Sequence, residues 1–255
     1  MMEPKISVIT VVFNSRDLLQ GTIHSVRDQT LEDLEYVVVD GKSTDGTKEL
    51  ITANLDVIDV WISEPDDGIF DAMNKGLQLA SGEFILFLNA GDHLHRPDVL
   101  VEVFQKVDDS IDIAYGQTLM VDADRNATGL RSDVTPHLLP QNLAWTDLRF
   151  GLCVSHQSFI VRRSIAGNYV ENNISADTDW VIECLKKSRQ SINVGIIISE
   201  FLIGGFSKQH RLRSWIDRYK MLRKHFGFLP NLFNHLQITV RAIKHALRCS
   251  GAENC

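Results

Sequence analysis

The sequence predicts an α/β fold, a mostly parallel central sheet flanked by helices, with a basic helical stretch at its C-terminal end. Three observations carry this expectation. Short β-branched apolar runs alternate with segments of helical spacing through the first ninety residues. Each of those runs ends in a polar cluster. Charge is also segregated: the chain carries −7 overall, yet residues 208–248 hold ten Lys or Arg against one acid, Asp217. With 255 residues, 44% of them hydrophobic, the chain can bury a large core without staples.

Residues 6–13 form the first run, apolar on nearly every position, as in a strand buried on both faces. Asn14 and Ser15 then offer a cap, and Leu18, Leu19, Ile23 and Val26 give helical spacing. A second strand follows over 34–40, then a turn-rich stretch and a helix over 47–55. The pattern continues with a strand over 57–62, a helix over 68–80 and a strand over 83–88. Strands alternating with helices imply βαβ crossovers and a parallel sheet, whose ligands sit beyond the C-terminal strand ends. Farther on, 113–120 and 156–162 read as strands, 179–187 as a helix and 191–199 as another strand. Gly204-Gly205 reads as a hinge, and two helical stretches separated by Pro230 close the chain.

This pattern divides the chain into a domain over 1–208, with a ligand-binding half over 1–112 and a second half over 113–208, and a tail over 209–255. The four cysteines, Cys153, Cys184, Cys249 and Cys255, have neither disulfide-framework nor metal-ligand spacing, which fits a reducing compartment. No signal-peptide pattern and no long uncharged apolar stretch is present, so a cytoplasmic protein is expected.

Three clusters at strand ends carry the chemistry. In the stretch over 40–47, Asp40 can accept hydrogen bonds from a base edge or ribose, while turn and cap chemistry accounts for Asp45. Glu64, Asp66 and Asp67 precede a helix whose dipole they can complement, but this much negative charge also suits hydroxyl-rich sugars or a metal. Asn74 and Lys75 lie within that helix, where Lys75 either reaches an anion or stays solvated. The third cluster, 87–93, places Asn89 and Asp92 beyond an apolar strand. A turn explains Asp92, and so does a divalent cation completing its shell with diphosphate oxygens.

Together these stretches, 6–14, 37–47, 63–76 and 83–92, resemble the inverting family-2 glycosyltransferases of the GT-A fold, of the bacterial surface-polysaccharide type. The resemblance implies that Thr10, Phe13, Asn14 and Asp40 lie near the base and ribose of a UDP- or GDP-sugar. It places Asp66, Lys75 and Asn89 beside the same donor and gives Asp92 to Mg²⁺ or Mn²⁺. The family's Asp-X-Asp metal motif reads Asn89-Ala90-Gly91-Asp92 here, with one acid in place of several. In the second half, the stretch over 176–180 resembles the family's catalytic-base segment, which assigns Asp177 as base and Asp179 as its reserve; negative charge at a helix start is the plainer reading of both. His156 either lines the acceptor pocket or is a satisfied buried histidine. Residues 204–207 resemble a loop that closes over donor, and His210 lies just beyond, as a surface histidine or a ligand.

The activity implied is sugar transfer to a glycan or lipid-linked acceptor. A sugar nucleotidyltransferase or a dinucleotide-dependent dehydrogenase would need a glycine-rich loop after the first strand, and residues 11–16 contain no glycine. A catalytically silent nucleotide-sugar-binding protein remains the rival from another class. The tail repeats apolar residues at helical spacing, among them Leu212, Trp215, Leu222, Phe226, Leu232 and Leu236, with lysines and arginines opposite. Such a helix suits the anionic cytoplasmic face of a membrane, or packs on the catalytic domain. It lacks a nucleic-acid recognition motif.

Overall fold

A computed structural model describes residues 3–135, 137–171, 173–204 and 211–250, and the side chains of these except 211–213 and 241–250. Gly205, Phe206, Ser207 and His210, and the basic side chains Arg241, Lys244 and Arg248, lie outside what is described. The chain alternates β1 (Ile6–Val12), α1 (Arg16–Arg27), β2 (Leu34–Asp40), α2 (Thr47–Thr52), β3 (Val60–Ser63), α3 (Ile69–Leu79) and β4 (Phe84–Phe87). There follow β5 (His93–Leu94), α4 (Val99–Phe104), β6 (Ile113–Val121), β7 (Ala127–Leu130), α5 (Arg131–Val134), β8 (Phe159–Arg162), α6 (Ala176–Lys187) and β9 (Ser191–Leu202). Two helices, α7 (Arg211–Phe226) and α8 (Phe228–Ser250), end the chain.

The described strands form one sheet in the order β3-β2-β1-β4-β8-β6-β9-β5, with β7 paired to β6. β3, β2, β1 and β4 are mutually parallel. Direction reverses at β8, which runs antiparallel to both β4 and β6. All seven residues of β1 are buried, as its unbroken apolar run predicts. Alternation then sorts them by face: Ile9 and Val11 pack with α3 and α6, whereas Ile6 and Val8 pack with α1 and α4.

Several sequence boundaries shift, each for a local reason. The strand expected over 57–62 begins at Val60, because Val57 and Ile58 close a turn on the Asn54 carbonyl. The segment expected as a strand over 156–162 opens with a 3₁₀ turn at His156–Ser158. The helix expected over 179–187 starts at Ala176, which puts Asp177 inside its first turn. The final helices part at Gly227 rather than Pro230. Gly227 takes a left-handed φ of 83°, and proline is tolerated in the first turn of a helix, where no intrahelical donor is lost.

α7 does not stand clear of the sheet domain. Met221 and Leu222 are buried in its core, and Trp145 stacks on Phe226 at 5.2 Å. At this contact Asp179 of α6 accepts bonds from Lys224 Nζ at 3.0 and 3.1 Å and pairs with His225 Nε2 at 2.5 Å. Burial pushes the Asp179 carboxyl up, but these partners outweigh it and leave its pKa below the ordinary value. Among the described residues, no helix is long and apolar enough to cross a membrane.

Breaking the α6–α7 pair should be costly, because it takes from the buried His225 ring and from Lys224 the carboxylate they share. Asp179→Asn is expected to lose about 2–3 kcal/mol, a fall in Tm of roughly 5–10 °C at pH 7 by calorimetry. Since the folded pKa of Asp179 is depressed, its contribution is present above the unfolded value near 4 and lost as pH falls through the folded value. The gap between wild type and variant should therefore close on acidification; a gap unchanged down to about pH 3 would contradict the assignment.

Candidate active site

The parallel strands deliver their polar ends to one rim of the sheet, and the turns there are cross-braced. Asn14 N donates to Ser43 Oγ at 2.8 Å, and Thr44 N donates to Asn14 Oδ1 at 2.9 Å. Asp45 accepts from Arg16 N at 3.0 Å and from Thr47 Oγ1 at 2.6 Å, so it ties together the starts of α1 and α2. Asn14 holds a left-handed φ of 45° in this brace, which asparagine tolerates better than most residues.

Behind the rim, two predicted ligands are already engaged. Thr10 is buried and donates to the Leu88 carbonyl at 2.6 Å. Asp40, also buried, accepts from Ser63 Oγ at 2.6 Å and from Ser43 N at 3.2 Å. In front of them, Asp66 and Phe13 close on Gly41 so tightly that a Cβ there would collide with the Asp66 carboxylate and crowd the Phe13 ring. Phe13 is 61% exposed, an aromatic face beside a carboxylate at a strand end. A cavity of about 370 Å³ opens alongside, lined by Asn14, Arg16, Leu18 and Asp45. Lys75 is held at the back of the same loop. Its Nζ donates to the Pro65 carbonyl at 2.7 Å and pairs with Glu64 at 3.0 Å and Asp71 at 3.3 Å. Burial works against its charge, but these carboxylates prevail and hold its pKa above the ordinary value.

A second group forms where β4 meets β8. Asn89 Nδ2 donates to His156 Nε2 at 3.3 Å, which requires a neutral imidazole with its proton on Nδ1. Burial pushes the His156 pKa down, and the charge of Arg131 adds to this against the opposing pull of Asp177. Asp177 itself is half-buried in the first turn of α6. Its Oδ1 accepts from Thr178 N at 2.6 Å, and its Oδ2 has no hydrogen-bond partner among the described residues. Asp179, two residues on, faces α7 and does not join this group.

Aromatic packing fixes Asp177. Trp180, one turn along α6, stacks on Tyr169 at 4.9 Å and meets the edges of Phe87 and Phe159. Trp180 Nε1 donates to the Gly167 carbonyl at 2.6 Å. Asn74 of α3 clamps Tyr169 from the other side, accepting from its N–H at 2.7 Å and donating to its carbonyl at 3.0 Å. The sequence patterns did not single out Tyr169, Arg131 or the Asn74 clamp, because tertiary contacts such as Asn74 with Tyr169, 95 residues apart, leave no local signature.

Asp92 lies deeper. Its carboxylate accepts from Gln157 Nε2 at 2.8 Å and from Leu202 N at 3.1 Å, and Arg125 braces the same turn through the Gly91 carbonyl at 2.8 Å. Burial pushes its pKa up to about 7, only partly offset by these bonds and by the Arg125 charge. Among the described residues, no group of three or more His, Cys, Asp or Glu could cage a metal. Asp92 and the buried, unpartnered Oδ1 of Asn89 are what this turn offers a cation. Two such oxygens fit Mg²⁺ or Mn²⁺ held mainly by a ligand's phosphates and by water.

Residues 7–169 match the family described as Glycosyl transferase family 2. The chain is similar to an uncharacterized glycosyltransferase of Mycobacterium tuberculosis, 32% identical over 207 residues that cover 78% of this chain and 75% of that protein. It is also similar to a PGL/p-HBAD biosynthesis glycosyltransferase of Mycobacterium bovis, 31% identical over 193 residues, 72% of this chain and 71% of the relative. Among solved structures it resembles S. aureus TarS 1-349 in complex with UDP-GlcNAc, with TM-score 0.68 and 17% identity. That likeness covers 85% of this chain but 65% of TarS 1-349, so the chain spans just under two thirds of it. The mannosyltransferase PcManGT from Pyrobaculum calidifontis, in complex with GDP-Man and Mn²⁺, gives TM-score 0.61 at 17% identity, covering 100% of this chain and 77% of that one. The fold is therefore GT-A, as the sequence predicts.

The raised pKa of Asp92 has a testable sign. Between the unfolded value near 4 and the folded value of about 7, the folded state holds the proton more tightly. Stability from this group is therefore full below the lower value and declines as pH rises through the window. Asp92→Asn removes the penalty, and in EDTA it should raise stability by on the order of 2–4 kcal/mol at pH 8, with little gain at pH 4. Equal Tm differences at both pH values would refute the buried, uncompensated carboxylate.

Proposed function

The chain belongs to glycosyl transferase family 2, and on that premise we propose that it transfers a sugar from a nucleoside-diphosphate donor to a glycan or lipid-linked acceptor with inversion. Asp177 serves as the general base. The observation that carries this reading is the pairing of roles on α6: Asp177 keeps Oδ2 without a partner among the described residues and lies close enough for its charge to act on His156, whereas Asp179 is committed to Lys224 and His225. Only one of the two carboxylates is available to take a proton.

In this reading the nucleotide lies across the rim at Gly41. Phe13 offers its face to the base, Asn14 and Asp66 offer acceptors to base or ribose, and buried Thr10 and Asp40 hold the surrounding turns. Lys75 keeps the 64–67 loop in place. Asp92 and Asn89 Oδ1 would hold a divalent cation, which when bound neutralises charge on the leaving diphosphate. Asp177 removes the proton from an acceptor hydroxyl as that oxygen bonds to the anomeric carbon. The bond from that carbon to the diphosphate oxygen breaks, and its electrons leave with the diphosphate. Neutral His156 and Asn89 border the reacting groups and orient the acceptor. Metal-bound PcManGT, and a relative named for PGL/p-HBAD biosynthesis, support a cation and a lipid-linked or surface-glycan acceptor respectively.

A peripheral position on an anionic membrane belongs to the same reading. α8 shows solvent a stripe of Leu229, Leu232, Phe233, Leu236 and Val240, spaced along one helical face. Exposed Lys220 and Arg223 stand on the neighbouring α7.

Two experiments test these assignments. UDP or GDP with Mn²⁺ should raise Tm in wild type and in Asp177→Asn alike, while the variant loses about 10²–10⁴-fold in transfer rate. Near-normal turnover in Asp177→Asn would move the base elsewhere. For the membrane, the double change Phe233→Ser and Leu236→Ser should weaken sedimentation with phosphatidylglycerol vesicles by about tenfold or more. Undiminished binding would remove α8 from that role.

A further inference from the structure

Arg131 is a buried cation that the reaction scheme above leaves unused. Its Nη2 donates to the Leu152 carbonyl at 2.6 Å, but its Nη1 is buried with no hydrogen-bond partner. Among the described residues Arg131 has no ion-pair partner, although it lies close enough to Asp177 for that charge to act on it, and near the neutral Cys153 thiol. Burial pushes its pKa below the ordinary value, the sign of a charge without compensation. An unsatisfied buried guanidinium is among the costlier features a fold can retain, and an anionic ligand is what removes that cost.

The surroundings indicate where such a ligand enters. At Cys153, on which the Arg131 charge acts, a cavity of about 300 Å³ opens, lined also by His137, Leu138, Pro140, Asp147 and Arg149, among others. Cys153 follows directly on Leu152, whose carbonyl Arg131 already holds. Arg149 is exposed at this cavity and stacks over Phe150 at 4.8 Å, which adds a second cation. The one acid on the lining, Asp147, accepts from Ala144 N at 2.9 Å and so braces its own turn. Leu138 is 77% exposed, an apolar edge of the kind a sugar ring packs against. Arg131 as a residue is half-buried, and Cys153, on which its charge acts, joins it to the wall of this cavity.

The geometry points to a subsite for an anionic group on the acceptor, a phosphate or carboxylate oxygen received by Arg131 with Arg149 at the entrance. This rests on the glycosyltransferase reading and deepens it: the acceptor is a negatively charged saccharide or saccharide phosphate, and its anion sets the distance between its attacking hydroxyl and Asp177. A guanidinium fork suits either oxyanion. Arg131 is thus a specificity-determining residue.

The test uses the full chain saturated with whichever of UDP or GDP raises its Tm. Methyl glucoside, glucose 6-phosphate and glucuronate are then titrated and read by thermal shift. Wild type should respond to at least one anionic probe and not to methyl glucoside; phosphate against carboxylate response tells which oxyanion the site takes. Arg131→Gln should raise the apparent Kd for that probe at least tenfold while the nucleotide shift stays intact, which also shows that the variant is folded. Arg131→Lys keeps the charge without the fork and should fall between the two, and it substitutes if the glutamine variant does not fold. The proposal is overturned if wild type responds to neither anion, if both Arg131 variants respond as wild type does, or if they lose the nucleotide shift, which would give Arg131 to the donor diphosphate. Absence of any nucleotide shift in wild type would instead count against the glycosyltransferase reading itself.

Discussion

Everything at the candidate site depends on one reversal of direction: β8 runs antiparallel to β4, its neighbour in the middle of the sheet. A parallel strand in that position would start at the opposite rim and carry its N-terminal residues away from the C-terminal ends of β1 to β4. Because β8 is reversed, the turn leading into it lies against the end of β4, and His156 meets Asn89 although 67 residues separate them. Gln157 in the same turn reaches Asp92. The two halves of the chain are joined there by hydrogen bonds between side chains that neither half could satisfy alone.

Buried polar groups fall into two populations. Glu35 accepts from Ser7, Ser81 N and Ser81 Oγ, and Asp112 is held by Arg162 and Arg189; both have pKa values below the ordinary range because several donors together outweigh the effect of burial. These are satisfied structural knots, and nothing further needs to bind them. Around β4 and α6 the situation differs. Asn89 Oδ1, Arg131 Nη1 and Tyr169 Oη are buried without partners, and Asp92 carries the opposite pKa shift. Other buried atoms without a hydrogen-bond partner lie elsewhere, on Gln29, Arg96, Asn231 and His235, but these three stand near the candidate site, where a bound ligand can supply what the chain lacks.

The parallel half of the fold was legible because its signals are local. Runs such as Val37-Val38-Val39 announce a strand buried on both faces, and the polar clusters after them mark the binding rim. The second half was read less well. The residues that make β8 a reversed strand say nothing of its direction, and the two-residue β5 and four-residue α5 are too short to show periodicity. Among the site residues, Asp177 carried a motif, but its distinction from Asp179 did not. Both are acids at a helix start, and only the packing of α7 separates them. Thr10 and Asp40 sat at the expected strand ends, yet their side-chain partners, Leu88 and Ser63, depend on strand neighbours that no local pattern specifies. Arg131 gave no signal at all, since an arginine after a hairpin is ordinary until its surroundings are known.

α6 is a two-sided part. In its first turns Asp177 belongs to the candidate site and Asp179 faces α7, while Trp180 locks the rotation of the helix by stacking on Tyr169. Each residue of a helix is turned about 100° from the last. Adding or losing one residue near the start of α6 would therefore swing Asp177 off its site and tear Asp179 from its anchor in the same event. Length in this segment is fixed from both faces at once, so the start of α6 can exchange side chains but not gain or lose a position without breaking both contacts.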